Sequence, residues 1–202
     1  MPRRNRNGRS SQAPSVHSAA IDILVVCTGN ACRSPMAAAI LQQRLDESGV
    51  GARVSSAGTS PWGSGATGDA VTVMRERALD ISAHQNRRLT AELVEQSDLV
   101  LGMTRDHVSF AVMRSQDAAG RVFLMGELAR LGAQVGPRGP GEPITGWVGR
   151  VAAARPSDRP MGRAVDEVAD PVGEPIDVYR ATVARLDRDL TTIATLLSGR
   201  TL

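Results

Sequence analysis

The chain of 202 residues is long enough to bury the core of one domain, and its formal net charge is only +3. It contains no apolar run long enough to cross a bilayer, and no apolar segment follows the N-terminal arginines as a secretory signal would require. Its two cysteines, Cys27 and Cys32, are too few for the disulfide framework of a secreted fold. We therefore expect free thiols and a cytoplasmic protein.

Residues 1–20 are predicted to be a disordered basic tail. They contain Arg3, Arg4, Arg6 and Arg9 and no acidic residue, and they show neither helical nor strand periodicity. The alternative is that this tail binds a nucleic acid or a membrane surface. It is disfavoured because no aromatic side chains are interleaved with the arginines and no apolar face is formed.

From residue 21 onwards, predicted strands alternate with predicted helices. Strands are predicted at residues 21–26, 53–57, 99–103 and 122–124, and helices at residues 36–47, 69–79, 104–113 and 176–197. The last helix has an apolar side chain at alternating steps of three and four residues. This order predicts an α/β fold, with one domain at residues 21–202 and a four-stranded parallel sheet covered by helices on both faces.

Residues 134–163 interrupt this order. They are rich in Gly, Pro and Arg and include Trp147 among short apolar pieces. Long loops of this kind are usually functional or disordered. We interpret the segment as an insertion that is merely tolerated, with a cover over the active site as the alternative.

The first predicted strand runs directly into a loop and then into a helix, an arrangement that binds anions. The N–H groups of such a loop converge, and the helix dipole favours negative charge there. The loop begins with Cys27 and ends with Arg33, while Ser34 and Pro35 suit the N-cap and first position of the helix. Positive surroundings stabilise a thiolate, and a guanidinium fork suits two phosphoryl oxygens.

These residue types predict covalent catalysis at phosphorus. Residues 28–33 are expected to hold three phosphoryl oxygens while Cys27 attacks in line. A nucleoside-triphosphate loop is excluded because the Gly-Lys-Ser/Thr ending is missing. The non-functional alternative is a buried cysteine that lies near a surface arginine by chance. The preceding strand and the Ser-Pro that follows the loop both disfavour it. No metal or cofactor is expected.

The loop resembles the signature loop of low-molecular-weight protein tyrosine phosphatases, and its residues are Cys27-Thr28-Gly29-Asn30-Ala31-Cys32-Arg33-Ser34-Pro35. The resemblance extends over residues 21–197 apart from residues 134–163. It implies that Cys27 is the nucleophile, that Arg33 binds the phosphate and that Ser34 stabilises the thiolate. It also implies a network that supports the loop, formed by Asn30, Ser34, Ser56 and His84. Asn30 suits the left-handed backbone conformation that a strained loop needs.

Asp170, followed by Pro171, matches the general acid of this family. A carboxylic acid can protonate the leaving oxygen and then, as a carboxylate, activate water against the thiophosphate intermediate. An Asp-Pro dipeptide alone often only starts a turn. Its place shortly before the last predicted helix favours the catalytic interpretation, and Asp166 is the nearby alternative.

The substrate pocket implied by the resemblance includes Ala31, Trp62 and Val172. Members specific for phosphotyrosine carry aromatic residues after Asp-Pro, whereas Val172 follows here, so little stacking on a phenyl ring is expected. Protein arginine phosphatases carry Thr at the position of Ala31, and tyrosine phosphatases carry a bulkier aliphatic residue there. Ala31 fits neither pattern.

The expected activity is hydrolysis of phosphotyrosine-type monoesters of a phosphorylated protein, slightly ahead of a protein arginine phosphatase. Arsenate reduction is a further alternative, although Cys32, which is expected to act as a redox guard for Cys27, is the only other thiol. A non-catalytic phosphate-binding or redox-sensing module is the last alternative. The presence of Cys27, Arg33 and Asp170 together disfavours it. The sequence predicts no oligomeric state.

Overall fold

The computed structural model describes residues 20–157 and 162–202, so the predicted tail lies outside the described residues apart from residue 20. The described chain contains one four-stranded parallel sheet in the order β2-β1-β3-β4, and its strands are β1 Ile21–Cys27, β2 Ala52–Gly58, β3 Leu99–Gly102 and β4 Val122–Leu124. This sheet confirms the predicted α/β fold.

The helices of the described residues are α1 Arg33–Glu47, α2 Gly68–Arg75, α3 Ala91–Glu95, α4 Arg105–Arg114, α5 Met125–Val135, α6 Ile144–Ala153 and α7 Ile176–Leu197. Strand β1 is buried on both faces, as expected for a parallel sheet between helices. Ile23 and Val25 face the apolar core that contains residues of α1 and α7, whereas Leu24 and Val26 face the core that contains residues of α4. No helix of residues 20–157 or 162–202 is long and apolar enough to cross a membrane.

The strand order reverses between β1 and β3, and this reversal positions the functional site. Helix α1 follows β1 on one face of the sheet, and α4 follows β3 on the other. Val26 of β1 pairs with Gly102 of β3, so both strands end at the same edge of the sheet. In open α/β sheets, ligands bind in the crevice at such a point.

Two predicted helix boundaries were wrong. Helix α1 begins at Arg33 with Cys32 as its N-cap, so Ser34 lies within the helix and its hydroxyl is free for another role. Helix α2 ends at Arg75 rather than at residue 79. Ala78 has a φ of 58°, a left-handed conformation that a right-handed helix cannot contain.

Residues 134–163 contain the helix α6, which the interpretation as a long loop missed. Trp147 is fully buried, and its Nε1 donates to the carbonyl oxygen of Gly136 at 2.9 Å. Gly132 of α5 lies under the indole, because a Cβ there would stand 3.1 Å from the ring. The i, i+3, i+4, i+7 spacing of Ile144, Trp147, Val148 and Val151 is the helical signal that the surrounding Gly and Pro obscured. Residues 158–161 lie outside the described residues.

Candidate active site

The loop between β1 and α1, residues 27–33, is called the phosphate loop below. The carbonyl groups of residues 27–31 accept hydrogen bonds from neighbouring segments and that of Cys32 accepts from the first turn of α1, whereas the N–H groups of residues 29–32 donate to no atom of the described residues. The carbonyl acceptors and their donors are Cys27 with Thr59, Thr28 with Ser60, Gly29 with Trp62, Asn30 with His84, Ala31 with Thr67 and Cys32 with Met36. Free N–H groups at a helix N-terminus form an anion site.

Asn30 braces the middle of the phosphate loop. Its φ of 54° confirms the expected left-handed conformation. Its side chain accepts from the N–H of Arg87 at 2.9 Å and donates to the hydroxyls of Ser34 and Ser56, also at 2.9 Å. Nε2 of His84 lies 2.7 Å from the carbonyl oxygen of Asn30 and must donate to it. The structure therefore brings together all four residues that the resemblance implied for loop support.

Cys27 lies buried at the base of the phosphate loop, with its Sγ 3.0 Å from the Ser34 hydroxyl. Because Ser34 accepts a hydrogen bond from Asn30, its own proton is free to point at the sulfur. A donated hydrogen bond favours the charged form of its acceptor. The Ser34 hydroxyl is therefore placed to donate to the sulfur of Cys27, close to the N-terminus of α1.

Arg33 and Asp170 meet at the mouth of the phosphate loop. The guanidinium of Arg33 is buried, its Nη1 donates to the carbonyl oxygen of Val168 at 3.2 Å, and its Nη2 binds the carboxylate of Asp170. Nε of Arg33 is buried without a partner in the described residues. The sulfur of Cys27, the phosphate loop and the carboxyl group of Asp170 thus lie around one cavity.

Comparison with known proteins agrees with this geometry. Residues 22–133, more than half of the chain, match the family described as low molecular weight phosphotyrosine protein phosphatase. The chain belongs to this family. A protein-arginine-phosphatase from Bacillus subtilis (strain 168) is 32% identical to this phosphatase over 176 residues, which are 86% of this chain and 95% of that protein.

Two further relatives cover different shares of the phosphatase. A probable low molecular weight protein-tyrosine-phosphatase, EpsP from Ralstonia solanacearum, is 43% identical over 107 residues, 52% of this chain and 71% of that protein. The crystal structure of a YwlE mutant from Bacillus subtilis superimposes with a TM-score of 0.66 at 29% identity, covering 87% of this chain and 97% of that one. Members of the family hydrolyse phosphomonoesters, and this chain is accordingly a hydrolase of that class.

Asp166, the alternative acid, lies elsewhere in this phosphatase. Its carboxylate is buried and bound by Nε and Nη2 of Arg130, at 3.1 and 2.7 Å. Asp170 is half-exposed, with 45% of its side chain accessible. The segment between the two is tied to the end of β3, since Val168 donates to the carbonyl oxygen of Met103 at 2.8 Å. Asp166 therefore anchors the segment, and Asp170 faces the phosphate loop.

The mouth of the phosphate loop is a narrow cavity of about 10 Å³ with Ala31, Trp62 and Val172 among its lining residues. Trp62 and Val172 are exposed at the rim, whereas Ala31 is fully buried. A Cβ on Gly29 would lie 2.1 Å from the indole Nε1, so only glycine lets Trp62 lie this close to the loop. A larger cavity of about 530 Å³ lies between α1 and β2 and includes neither Cys27 nor Arg33.

Cys32 is buried and lines the same cavity as Cys27. Burial, together with the negative charges of Asp170 and Cys27, raises the pKa of the Cys32 thiol to about 12. Cys32 is therefore a neutral thiol at physiological pH.

His107 is a component of the site that the sequence analysis missed. Its buried imidazole lies behind the phosphate loop, with Nδ1 3.0 Å from the N–H of Thr104 and Nε2 2.9 Å from Oγ1 of Thr28. Burial and then the charge of Arg33 lower the pKa of His107 to about 4. The sequence did contain a signal for His107. It lies shortly after the predicted strand at residues 99–103, and the carboxyl ends of parallel strands meet at one edge of the sheet, where ligands bind.

Proposed function

We propose that the chain hydrolyses phosphotyrosine-type monoesters of proteins through a cysteinyl-phosphate intermediate. The position of Cys27 supports this best: its sulfur lies at the base of a loop with free N–H groups, 3.0 Å from a hydroxyl that can donate to it. A sulfur nucleophile below such a site can attack the phosphorus atom of a phosphate group while the loop N–H groups bind the phosphate oxygens.

In the first step, the phosphate loop binds the phosphoryl oxygens of the substrate. Arg33 exchanges the carboxylate of Asp170 for two of these oxygens, since both ligands compete for the same guanidinium. The phosphate dianion disfavours a second negative charge beside it, so the Asp170 carboxyl takes up a proton. The sulfur of Cys27 then forms a bond to phosphorus as the ester bond breaks, and Asp170 protonates the departing oxygen.

In the second step, Asp170 is a carboxylate and removes a proton from water. The water oxygen attacks phosphorus, the sulfur–phosphorus bond breaks, and Cys27 leaves as a thiolate that Ser34 stabilises. Inorganic phosphate is released, and Asp170 gives its proton to solvent as it pairs with Arg33 again. The partial exposure of Asp170 supports both roles, because water and the leaving group reach it from solvent.

The rim of the mouth supports a phosphorylated protein as the substrate, with phosphotyrosine first. Trp62, which is 47% exposed, offers an aromatic face beside the phosphate loop. Phosphoarginine is the second candidate, because a relative that covers 86% of this chain is named a protein-arginine-phosphatase. The Asp170 carboxylate at the mouth suits a guanidinium as well as a leaving oxygen.

The remaining alternatives have less support. Arsenate reduction needs a thiol to resolve the adduct, and the second of the chain's two cysteines, Cys32, is buried with a raised pKa. A non-catalytic phosphate-binding or redox-sensing module would not need Asp170 to face the nucleophile. The free thiols and the bacterial relatives support a bacterial cytoplasmic protein.

The test is to trap the intermediate. The protein is mixed with 4-nitrophenyl phosphate, quenched in acid and digested, and the peptide containing Cys27 is analysed for added phosphate by mass spectrometry. Cys27→Ser should abolish turnover but retain vanadate binding, because the loop N–H groups and Arg33 remain. Arg33→Lys should lose both, since an ammonium cannot bind two oxygens in the same way. Appreciable turnover by Cys27→Ser would refute the mechanism.

A further inference from the structure

His107 and Thr28 form a contact for which the mechanism above has no role. Nδ1 of His107 accepts a hydrogen bond from the backbone N–H of Thr104, which can only donate. In the neutral imidazole the proton must therefore lie on Nε2, and it is donated to Oγ1 of Thr28. The tautomer follows from the backbone, and both ring nitrogens are engaged.

Thr28 is the first residue after the nucleophile, and it is held at two points. Its carbonyl oxygen accepts from the N–H of Ser60 at 3.0 Å, and its hydroxyl accepts from His107 at 2.9 Å. The Asn30 brace described above holds only the middle of the phosphate loop. The end of the loop next to Cys27 thus has a support of its own, from the other side of the sheet.

We propose that His107 is a positioning residue, which through Thr28 holds the first turn of the phosphate loop in the shape that binds the phosphoryl oxygens in the transition state. This inference rests on the proposed function. A loop that is slightly misplaced still binds substrate, but it stabilises the transition state less well. The Nε2 of His107 bonds to Thr28, whereas the hydrogen-bond partner of Cys27 is Ser34, so the effect of His107 passes through Thr28.

The surroundings of His107 fit a support better than a proton carrier. The ring is buried, and it lines a second cleft, of about 440 Å³, which shares Arg33 and Asp170 with the mouth cavity. Both nitrogens already have partners within the protein, so transfer of a proton would break one of these bonds. Because Thr28 accepts from His107, its own hydroxyl proton is free to donate into this cleft.

Two substitutions separate the two hydrogen bonds of His107, the one to Thr28 and the one to the N-terminus of helix α4. In His107→Asn, an oxygen close to the position of Nδ1 can still accept from Thr104, but the side chain is too short to reach Thr28. In His107→Gln, the longer side chain offers an amide N–H for Thr28. We expect kcat on 4-nitrophenyl phosphate to fall about tenfold in the Asn variant, as for one lost hydrogen bond, and to recover largely in the Gln variant.

The contact predicts further signatures. KM should stay within about twofold, while the inhibition constant of vanadate rises with the loss of kcat, because vanadate resembles the transition state. Thr28→Val removes the hydroxyl at nearly constant volume and should cost about as much as His107→Asn, and the double variant should cost no more than either alone. Val108→Ala is the control, since it loosens the packing of α4 at the next residue without touching Thr28.

All variants are assayed below their thermal unfolding midpoints. Three results would overturn the proposal. They are equal losses of kcat in His107→Asn and His107→Gln, additive losses in the double variant, and a loss in Val108→Ala as large as that in His107→Asn. If the wild type hydrolysed no phosphomonoester, the proposed function would fail. The support would then be judged on vanadate affinity alone, which should still fall about tenfold in His107→Asn and in Thr28→Val; unchanged affinity would overturn it.

Discussion

Arg33 holds the carboxylate of Asp170 at the mouth of the phosphate loop, so the residue that we propose binds the phosphate and the residue that we propose protonates the leaving group bind each other. The guanidinium is buried and the carboxylate is half-exposed. Entry of a phosphate dianion has to separate the pair. The ion pair therefore keeps both groups in place between turnovers, while it competes with the substrate.

Asp170→Asn should lower turnover and tighten anion binding at the same time. Loss of the acid should reduce kcat by about 100-fold for phenyl phosphate and by much less for 4-nitrophenyl phosphate, whose leaving group scarcely needs a proton. Because the neutral amide competes weakly for Arg33, the affinity for inorganic phosphate should rise several-fold. Steady-state kinetics on both esters and calorimetric titration with phosphate measure these effects.

The matched control is Asp166→Asn. Its carboxylate is bound by Arg130 away from the loop, so the substitution should lower the free energy of unfolding and leave the dependence on the leaving group as in the wild type. If Asp170→Asn lost activity equally on both esters, and Asp166→Asn lost it selectively on phenyl phosphate, the two roles would have to be exchanged.

The stability of the fold should decrease below neutral pH in part because of His107. Burial, then Arg33, lowers the pKa of His107 to about 4, although Asp106, Asp170 and Glu167 act in the opposite direction. Between the usual pKa near 6.5 and about 4, the unfolded chain binds a proton that the folded chain excludes. This difference should remove about 2 kcal/mol of stability between pH 7 and pH 5.

Urea denaturation at pH 7 and pH 5 measures this loss. Carboxyl groups elsewhere contribute a loss of their own, so the informative quantity is the difference between the wild type and His107→Asn. The variant lacks the titrating group, and its stability should fall less over the same interval by about 2 kcal/mol. Parallel decreases in the two proteins would show that His107 is protonated as easily in the fold as outside it.

Local residue types predicted the parts of the site that are close together in the chain, whereas the distant Ser56, His84 and Asp170 came only from the family resemblance. The phosphate loop, the left-handed Asn30 and the final helix follow from local residue types, spacing and periodicity. What the sequence analysis missed depends on distant contacts. Thr28 and His107 are 79 residues apart, and their contact exists because β1 and β3 end at the same edge of the sheet.

The helix α6 was missed for a different reason. Its apolar spacing was present in the sequence, but Gly and Pro on either side made the whole of residues 134–163 look like a loop. The burial of Trp147 shows that part of this segment belongs to the core. Composition over a long window hid a periodic pattern of only ten residues.

Cys32 should protect Cys27 from irreversible oxidation, but slowly at neutral pH. Peroxide oxidises the Cys27 thiolate to a sulfenic acid, and Cys32 can displace its hydroxyl to give a disulfide and water. The attacking species is the thiolate, and burial raises the pKa of Cys32 to about 12. The rate of disulfide formation should therefore rise steeply between pH 7 and pH 9, approaching tenfold per pH unit.

Rapid quenching with an alkylating agent, followed by mass spectrometry, measures the disulfide at each pH. Cys32→Ser is the matched variant: it should form no disulfide, and it should recover less activity than the wild type when thiol is added after peroxide. Equal recovery of the two proteins would refute the protective role. A rate that does not change with pH would show that Cys32 is not the slow reactant.

Substrate choice should respond to Ala31, although this residue is fully buried. Its side chain lies against the narrow mouth cavity, and its carbonyl oxygen accepts from Thr67 at 2.7 Å, so a larger side chain must extend into the mouth. Ala31→Ile should narrow the mouth and favour the flat phenyl ring of phosphotyrosine. Ala31→Thr should favour phosphoarginine by placing a hydroxyl near the sulfur and phosphorus. One such hydrogen bond shifts the ratio by about 1 kcal/mol, or several-fold.

The quantity to measure is the ratio of kcat/KM for a phosphotyrosine peptide to that for a phosphoarginine peptide of the same sequence, on each protein. Val172→Ala is the control, because it shortens a side chain at the exposed rim of the mouth and leaves the buried Ala31 unchanged. It should change KM for both peptides in the same direction. If neither Ala31 variant changed this ratio by more than twofold, Ala31 would not determine the choice between phosphotyrosine and phosphoarginine. Trp147 could not determine it either, since its ring is buried in the core, and the exposed rim at Trp62 would be the remaining place to change.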